Sequence, residues 1–303
     1  MNKHLKTVQA FWNTEACGTH FIEDAPGTAG FYEKYRGFRY QTEWHIQKWV
    51  PFQEAKGKKI LEIGCGNGAD GVLFAEAGAY YTGVDLTEAA VTAAQKHFTS
   101  LNLPAKFQVE NAETLSFPDT YFDWVYSYGV LHHTAHPEKT FQEVFRVLKP
   151  GGRAYLMLYH KNSFNYYVRI MFYMRLRCLI KIFSRFGRWQ EDRQKNAFVL
   201  HGLRGNQSPK IWDIHYQNFL KEGWPYLKAK NFVHHCTDGP ECPYAFVFTQ
   251  SQVKNILGFF RSVQCCVYHF PIRKYSMGKW VPRAIETFLA KHLGWYLCIS
   301  LEK

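Results

Sequence analysis

Short apolar runs take turns with segments whose apolar residues recur every three or four positions along the middle of this chain. Lys58–Ile63 (KKILEI), Tyr80–Asp85, Ala105–Val109, Phe122–Ser127 and Arg153–Tyr159 read as strands. Between them Gly71–Ala77, Glu88–Phe98 and Pro137–Leu148 carry helical spacing. Strands alternating with helices predict an α/β fold on a doubly wound parallel sheet. Upstream, Thr28–Val50 has the periodicity of one or two helices. After Tyr159 the alternation stops, and strand character returns only at Val263–His269 and Gly294–Leu301. The pattern divides the chain into an N-terminal cap (1–55), a core (56–160), an insertion (161–258) and a closing pair of strands (259–303).

The first strand runs into Leu61-Glu-Ile-Gly-Cys-Gly-Asn-Gly68, which opens a helix. Glycines at such a junction let the backbone turn tightly and approach a ligand closely. Asp85 ends the second strand, where a carboxylate can accept both hydroxyls of a ribose. Gly64, Gly66 and Ala69 also satisfy a dinucleotide fingerprint. Three features point instead to an adenosylated sulfonium cofactor: Glu62 within the strand, the GxGxG alternation, and Asn111-Ala112-Glu113 after the third strand.

With Tyr126-Ser-Tyr-Gly-Val-Leu-His-His-Thr134 and Leu148-Lys-Pro-Gly-Gly152, these motifs resemble the class I S-adenosylmethionine-dependent methyltransferases, in the subgroup acting on small molecules with a long insertion after the fifth strand. The resemblance covers 58–160 closely and the last two strands loosely. It implies a Rossmann-like seven-stranded methyltransferase sheet with a reversed final hairpin, an N-terminal helical cap, and a large helical insertion between strands 5 and 6. It also implies roles by position. Gly64, Gly66 and Gly68 lie against S-adenosylmethionine, Asp85 on its ribose, Asn111 and Ala112 at its adenine, and Tyr128 and Gly129 beside its methionine portion. Glu62, Leu86 and Glu113 complete that set. Asn111 departs from the Asp of many relatives, though an amide oxygen can still accept from an adenine amino group. An Arg-Tyr pair like Arg39-Tyr40 also occurs upstream of the sheet in small-molecule relatives; an arginine there can grip the cofactor carboxylate.

The acceptor side is less marked. A general base is needed only where the nucleophile starts protonated. His160 ends the fifth strand, at the sheet edge where doubly wound folds place ligands, and His20 lies in the cap; both are candidate acceptor-side catalytic residues. His132 and His133 are further candidates, His132 also as an acceptor contact, as is Tyr159. In Asn231–Tyr244, the Thr-Asp-Gly-Pro turn and its neighbours offer Asp238 and His235. The His-His-Cys-x5-Cys spacing of that stretch matches no common zinc pattern, so no metal is expected.

Composition then changes one expectation. The 303 residues carry a net charge of +12, which on its own suggests a polyanion partner. Yet 61–160 holds 11 acids against 6 Lys/Arg, and 161–195 holds 9 Lys/Arg against 2 acids. Phe164–Trp189 forms a basic amphipathic pattern: Arg169, Arg177, Lys181, Arg185 and Arg188 on one side, and Phe172, Leu176, Leu179, Phe183 and Phe186 on the other. Such a segment fits a lid packed on the sheet, a helix touching an anionic membrane surface, or arginines reaching an anionic acceptor. The partner expected is therefore a small, hydrophobic or amphiphilic acceptor, an anionic one being an alternative, rather than nucleic acid; RNA methylation and cofactor binding without transfer are the rivals. Eight cysteines without a CxxC pair, no signal peptide and no long apolar run predict a cytoplasmic protein with free thiols.

Overall fold

The computed structural model describes residues 3–14, 22, 24–25, 27–185, 188, 208–270, 272 and 280–303. Five parallel strands alternate with helices as the periodicity requires: β1 (Lys59–Ile63), β2 (Tyr80–Asp85), β3 (Lys106–Val109), β4 (Phe122–Tyr128) and β5 (Leu148–His160). β6 (Val247–Phe248) adds two residues beside the end of β5, and β7 (Ser262–Tyr268) and β8 (Tyr296–Glu302) form the reversed hairpin. The order β3-β2-β1-β4-β5-β8-β7 reverses between β1 and β4. At such a switch point the loops leaving the two strands part and a cleft opens beyond their carboxyl ends.

Sheet alternation sorts β5 between two cores. Leu156 and Leu158 pack with Val125 and Phe141, whereas Met157 and Tyr159 face the opposite way. This parity decides which of the residues at the end of β5 reach the cleft.

Ahead of the sheet come α1 (Lys3–Thr14), α2 (Ala29–Thr42) and α3 (Ile46–Trp49). The single span 28–50 thus resolves into two helices, the first capped by Thr28, whose hydroxyl accepts from the Phe31 N–H at 3.2 Å. Helix α1 was not anticipated, although Leu5, Val8 and Trp12 recur at helical spacing. α4 (Ala69–Glu76), α5 (Glu88–Ser100) and α6 (Pro137–Val147) connect the parallel strands.

In the insertion a π-helical stretch, Asn165–Met174, runs into α7 (Arg175–Ser184), so the winding changes near Arg175. The face turned inward is Tyr166, Ile170, Met174, Cys178 and Ile182. Phe172, Leu176 and Phe183, placed by the sequence pattern on the apolar side, are exposed. The i, i+4 row two residues earlier in register wins the core, because the segment carries apolar residues on two opposite faces and only one can pack. Phe186 and Trp189 lie outside the described residues. Helices α8 (Ser208–Glu222), α9 (Ala229–Phe232), α10 (Gln250–Ile256) and α11 (Arg283–Leu293) follow among the described residues. No helix among the described residues is long and apolar enough to cross a membrane. The seven described cysteines are free thiols, and Cys17 lies outside them.

Candidate active site

A cavity of about 590 Å³ opens at the switch point. One end is made of backbone. β1 ends in Gly64, whose φ of +78° and closeness to Val130 exclude any side chain, since an added Cβ would overlap the Val130 methyls. Gly66 turns its N–H onto Asp85 Oδ2 at 3.2 Å, while Thr87 gives both N–H and hydroxyl to Oδ1 at 2.9 Å. Burial lifts the Asp85 carboxyl above its usual range, and these donors oppose the rise. Leu86, Asn111, Ala112 and Glu113 line the same end. The Asn111 oxygen accepts from the Glu113 N–H at 3.0 Å, and Glu113 receives the His136 N–H and Nδ1, so both side chains also hold their own turn. Gly68 does not line the cavity; it starts α4 against Phe98.

Below the glycine turn lies a buried charge cluster. Arg39 reaches Asp70 through Nε at 2.8 Å and through its terminal nitrogen at 2.5 Å, and pairs with Glu43 at 3.0 Å. Tyr126 and Tyr40 give their hydroxyls to the same carboxylate at 2.8 and 3.1 Å. Burial pushes Asp70 up, but the Arg39 charge and these donors outweigh it and hold it below its ordinary value. Glu62 has no ion pair among the described residues, although the Arg39 charge acts on it. Burial and the Asp70 charge lift it well above the usual range despite the Tyr81 hydroxyl at 2.5 Å. Arg39 therefore lines the cavity with its guanidinium already engaged. Tyr40 does not line it: its hydroxyl is on Ala69 O and Asp70.

The other end is made of side chains from distant segments. Helix α1 lies across it, with Val8 and Trp12 on the cavity and Gln9 Nε2 on Leu86 O at 3.0 Å. Tyr128, Met157, Tyr159 and Tyr296 add mostly aromatic walls, and Gly129 turns the chain after β4. Tyr128 carries Arg39 over its ring at 4.9 Å and meets His45 Nε2 through its hydroxyl at 2.9 Å. Tyr159 stacks on Trp295 and donates to Asp238 at 3.1 Å. His133, in the 3₁₀ turn Leu131–His133, also lines the cavity, with Nε2 3.4 Å from Asp238 Oδ2 and Nδ1 2.7 Å from Tyr244 O. The sequence pattern weighed this histidine without choosing it; the ring that reaches the cavity is fixed by the turn and by a carbonyl 111 residues away.

Three expected acceptor residues sit elsewhere, which corrects the sequence reading. His160 is on the Leu156–Leu158 face of β5, buried, with Nδ1 on Gly294 O at 3.1 Å. Strand parity gives the cavity to Tyr159 and denies it to the next residue. His132 is fully buried beneath His133 and Tyr159, and burial and His133 hold its ring far below the usual imidazole range, so it is neutral. His235 packs on Tyr226 and holds Pro240 O at 2.9 Å, and burial lowers it to about 4. None of the three lines the cavity. His20 lies outside the described residues. Of the described residues in 161–258, Asp238 alone lines the cavity. The basic helix therefore has no described residue there.

Residues 61–156 match the methyltransferase domain family. Over 107 residues the chain is 30% identical to the ubiquinone biosynthesis O-methyltransferase of Coxiella burnetii, covering 35% of this chain and 46% of that protein. It is 32% identical over 117 residues to the enzyme of the same name from Pseudomonas entomophila, covering 38% and 50%. The chain thus spans about half the length of the curated relatives it matches. Two solved structures share its fold. A methyltransferase from Archaeoglobus fulgidus aligns with 15% identity and TM-score 0.51 over 90% of this chain and 98% of that one. The Haemonchus contortus phosphoethanolamine N-methyltransferase 2, solved with S-adenosylhomocysteine, aligns with 14% identity and TM-score 0.52 over 98% and 60%. The half-buried Asp85 carboxylate beside a glycine-rich turn suits an adenosyl group, and S-adenosylmethionine is the methyl donor that this kind of domain takes. Sheet order, glycine turn and sequence likeness agree that residues 61–156 form a methyltransferase domain of the class I S-adenosylmethionine-dependent kind.

Proposed function

We propose that this chain transfers a methyl group from S-adenosylmethionine to a small molecule enclosed between α1 and the end of β5. The observation that carries this reading is the continuity of one cavity from Asp85 and Asn111 to Tyr159 and Asp238. Asp85 holds the ribose hydroxyls, the backbone of 64–66 approaches the cofactor, and Leu86 with Ala112 flanks its adenine. Glu62 and the acids around Arg39 suit the cationic methionine end. Bound there, the cofactor supplies an electrophilic methyl on a sulfonium that leaves as a neutral thioether. The residues of this chain need only align an acceptor and exclude water.

Acids outnumber bases in the lining, the described cations being Arg39, which is already paired, and Lys139. That favours an uncharged acceptor over a phosphorylated one, and it speaks against a nucleic-acid strand, whose phosphates need free cations. The test is calorimetric binding of S-adenosylhomocysteine together with thioether release on a panel of small phenols, amines and thiols. Cofactor binding with turnover of a small acceptor supports the reading; failure to bind S-adenosylhomocysteine overturns it.

A further inference from the structure

An imidazole nitrogen and a carboxylate face each other beside the acceptor end with no hydrogen bond joining them. His133 is buried, its side chain 4% exposed. Its Nδ1 meets Tyr244 O at 2.7 Å; a carbonyl only accepts, so Nδ1 carries the proton and the lone pair is on Nε2. Nε2 has no hydrogen-bond partner among the described residues, yet an Asp238 carboxylate oxygen stands 3.4 Å away. Two electron-rich groups held that close out of water repel unless a cation joins them. The third member is Cys242, fully buried, with Sγ 3.8 Å from the same ring. Ligand atoms of His133, Asp238 and Cys242 all fall within 4.8 Å of one another, the one such trio among the described residues.

We propose that His133, Asp238 and Cys242 form a binding site for a zinc-class divalent cation. A tetrahedral ion with bonds of about 2.0–2.3 Å keeps its ligand atoms roughly 3.3–3.6 Å apart. The nitrogen and the carboxylate oxygen already stand at that spacing, so only the thiol has to turn in, giving up its weak bond to Tyr244 O. The groups behind the ligands are those a metal site requires. Nδ1 on a backbone carbonyl fixes the imidazole tautomer, and the Tyr159 hydroxyl on Asp238 fixes the carboxylate. A thiolate beside an imidazole selects zinc over magnesium or calcium, which prefer oxygen. Cys242 gives its proton to solvent as it binds, and thiolate and carboxylate then balance the charge of the ion. His133 and Asp238 line the cavity, and Asp238 keeps 17% of its side chain exposed, so the fourth coordination position opens on the acceptor end. Of the His-His-Cys-x5-Cys stretch only Cys242 takes part. His234 is engaged by the Ala245 backbone, His235 by Pro240 O, and Cys236 packs in the core beneath the insertion. The histidine ligand comes from the turn after β4, 109 residues before Cys242, which is why the linear spacing matched no zinc pattern. The site adjoins the acceptor end but does not depend on the methyltransferase reading.

The experiment strips the full chain with EDTA, then titrates it with zinc against a chromophoric chelator and with cobalt(II) as a spectroscopic probe. One equivalent of zinc binds per chain, and cobalt gives the intense visible bands of a tetrahedral site with a near-ultraviolet thiolate charge-transfer band. Cys242→Ser abolishes that band and weakens zinc binding roughly 100-fold or more. His133→Gln weakens zinc as strongly but keeps the thiolate band. Tyr159→Phe, which frees the Asp238 carboxylate, weakens it about tenfold. Cys266→Ser, at an exposed thiol on β7, changes neither readout. If Cys242→Ser does not fold, the wild-type cobalt spectrum and His133→Gln carry the test. Zinc that binds without a thiolate band, or equally well to Cys242→Ser and His133→Gln, is an adventitious ion only and overturns the proposal. Absence of zinc binding overturns it too, leaving a proton as the cation between His133 and Asp238. S-adenosylhomocysteine calorimetry tests the methyltransferase reading separately, and either result there leaves the ion site to be judged on its own readouts.

Discussion

The two ends of the cavity are built by opposite means. The Asp85 end is backbone: a glycine turn, donated N–H groups, and a carboxylate oriented by Gly66 and Thr87. The Tyr159 end is side chain: aromatic rings and one imidazole brought together from α1, the β4 turn, β5, the Asp238 turn and β8. Backbone geometry depends on a few neighbouring residues and tolerates change around it. A side-chain chamber depends on every segment that contributes a wall. One end therefore suits a single invariant ligand, and the other can be retailored by substitutions that leave the first untouched.

The contrast can be broken most severely from beneath. Arg39→Ala strands the buried Asp70 carboxylate and should cost about 3–5 kcal/mol of folding stability in urea unfolding, hitting both ends at once. Gly64→Ala forces a side chain onto Val130 at a left-handed backbone position; S-adenosylhomocysteine binding should weaken roughly 100-fold or more by calorimetry. A normal affinity in that variant would mean that the turn is not the cofactor's cradle. Asp85→Asn removes charged acceptors and should weaken the same ligand by about 10–100-fold. Smallest is Trp12→Ala, which removes one aromatic wall: the KM for a phenol should rise roughly tenfold. S-adenosylhomocysteine affinity should hold within about twofold. If cofactor affinity fell in step with the phenol KM, the two ends would not be separable.

The same division explains what could be seen in the sequence. The sheet, its helices and the residues of the Asp85 end are local patterns: a strand, a glycine turn, and an acid at the end of the next strand. His160 was attractive because it closes β5, but parity along the strand awards the cavity to Tyr159. His132 and His133 are adjacent and chemically alike; only the 3₁₀ turn and Tyr244 O distinguish the buried ring from the one at the cavity. Arg39 was read as a grip for a cofactor carboxylate, yet Asp70, two residues beyond Gly68, already occupies its guanidinium. The pairing was hidden because it joins α2 to α4. The helical wheel of 164–189 misjudged the buried face for a related reason: both faces are apolar, and the π-helical winding changes which row turns inward. Helix α1 did leave a signal in Leu5, Val8 and Trp12, too short to stand out without a known partner surface.

Helix α1 holds Leu86 O through Gln9 at one end of the cavity and sets Trp12 against His133 at the other. The methyl donor and its recipient would thus lie under one and the same helix, so a change that displaces α1 as a whole reaches both ends of the cavity.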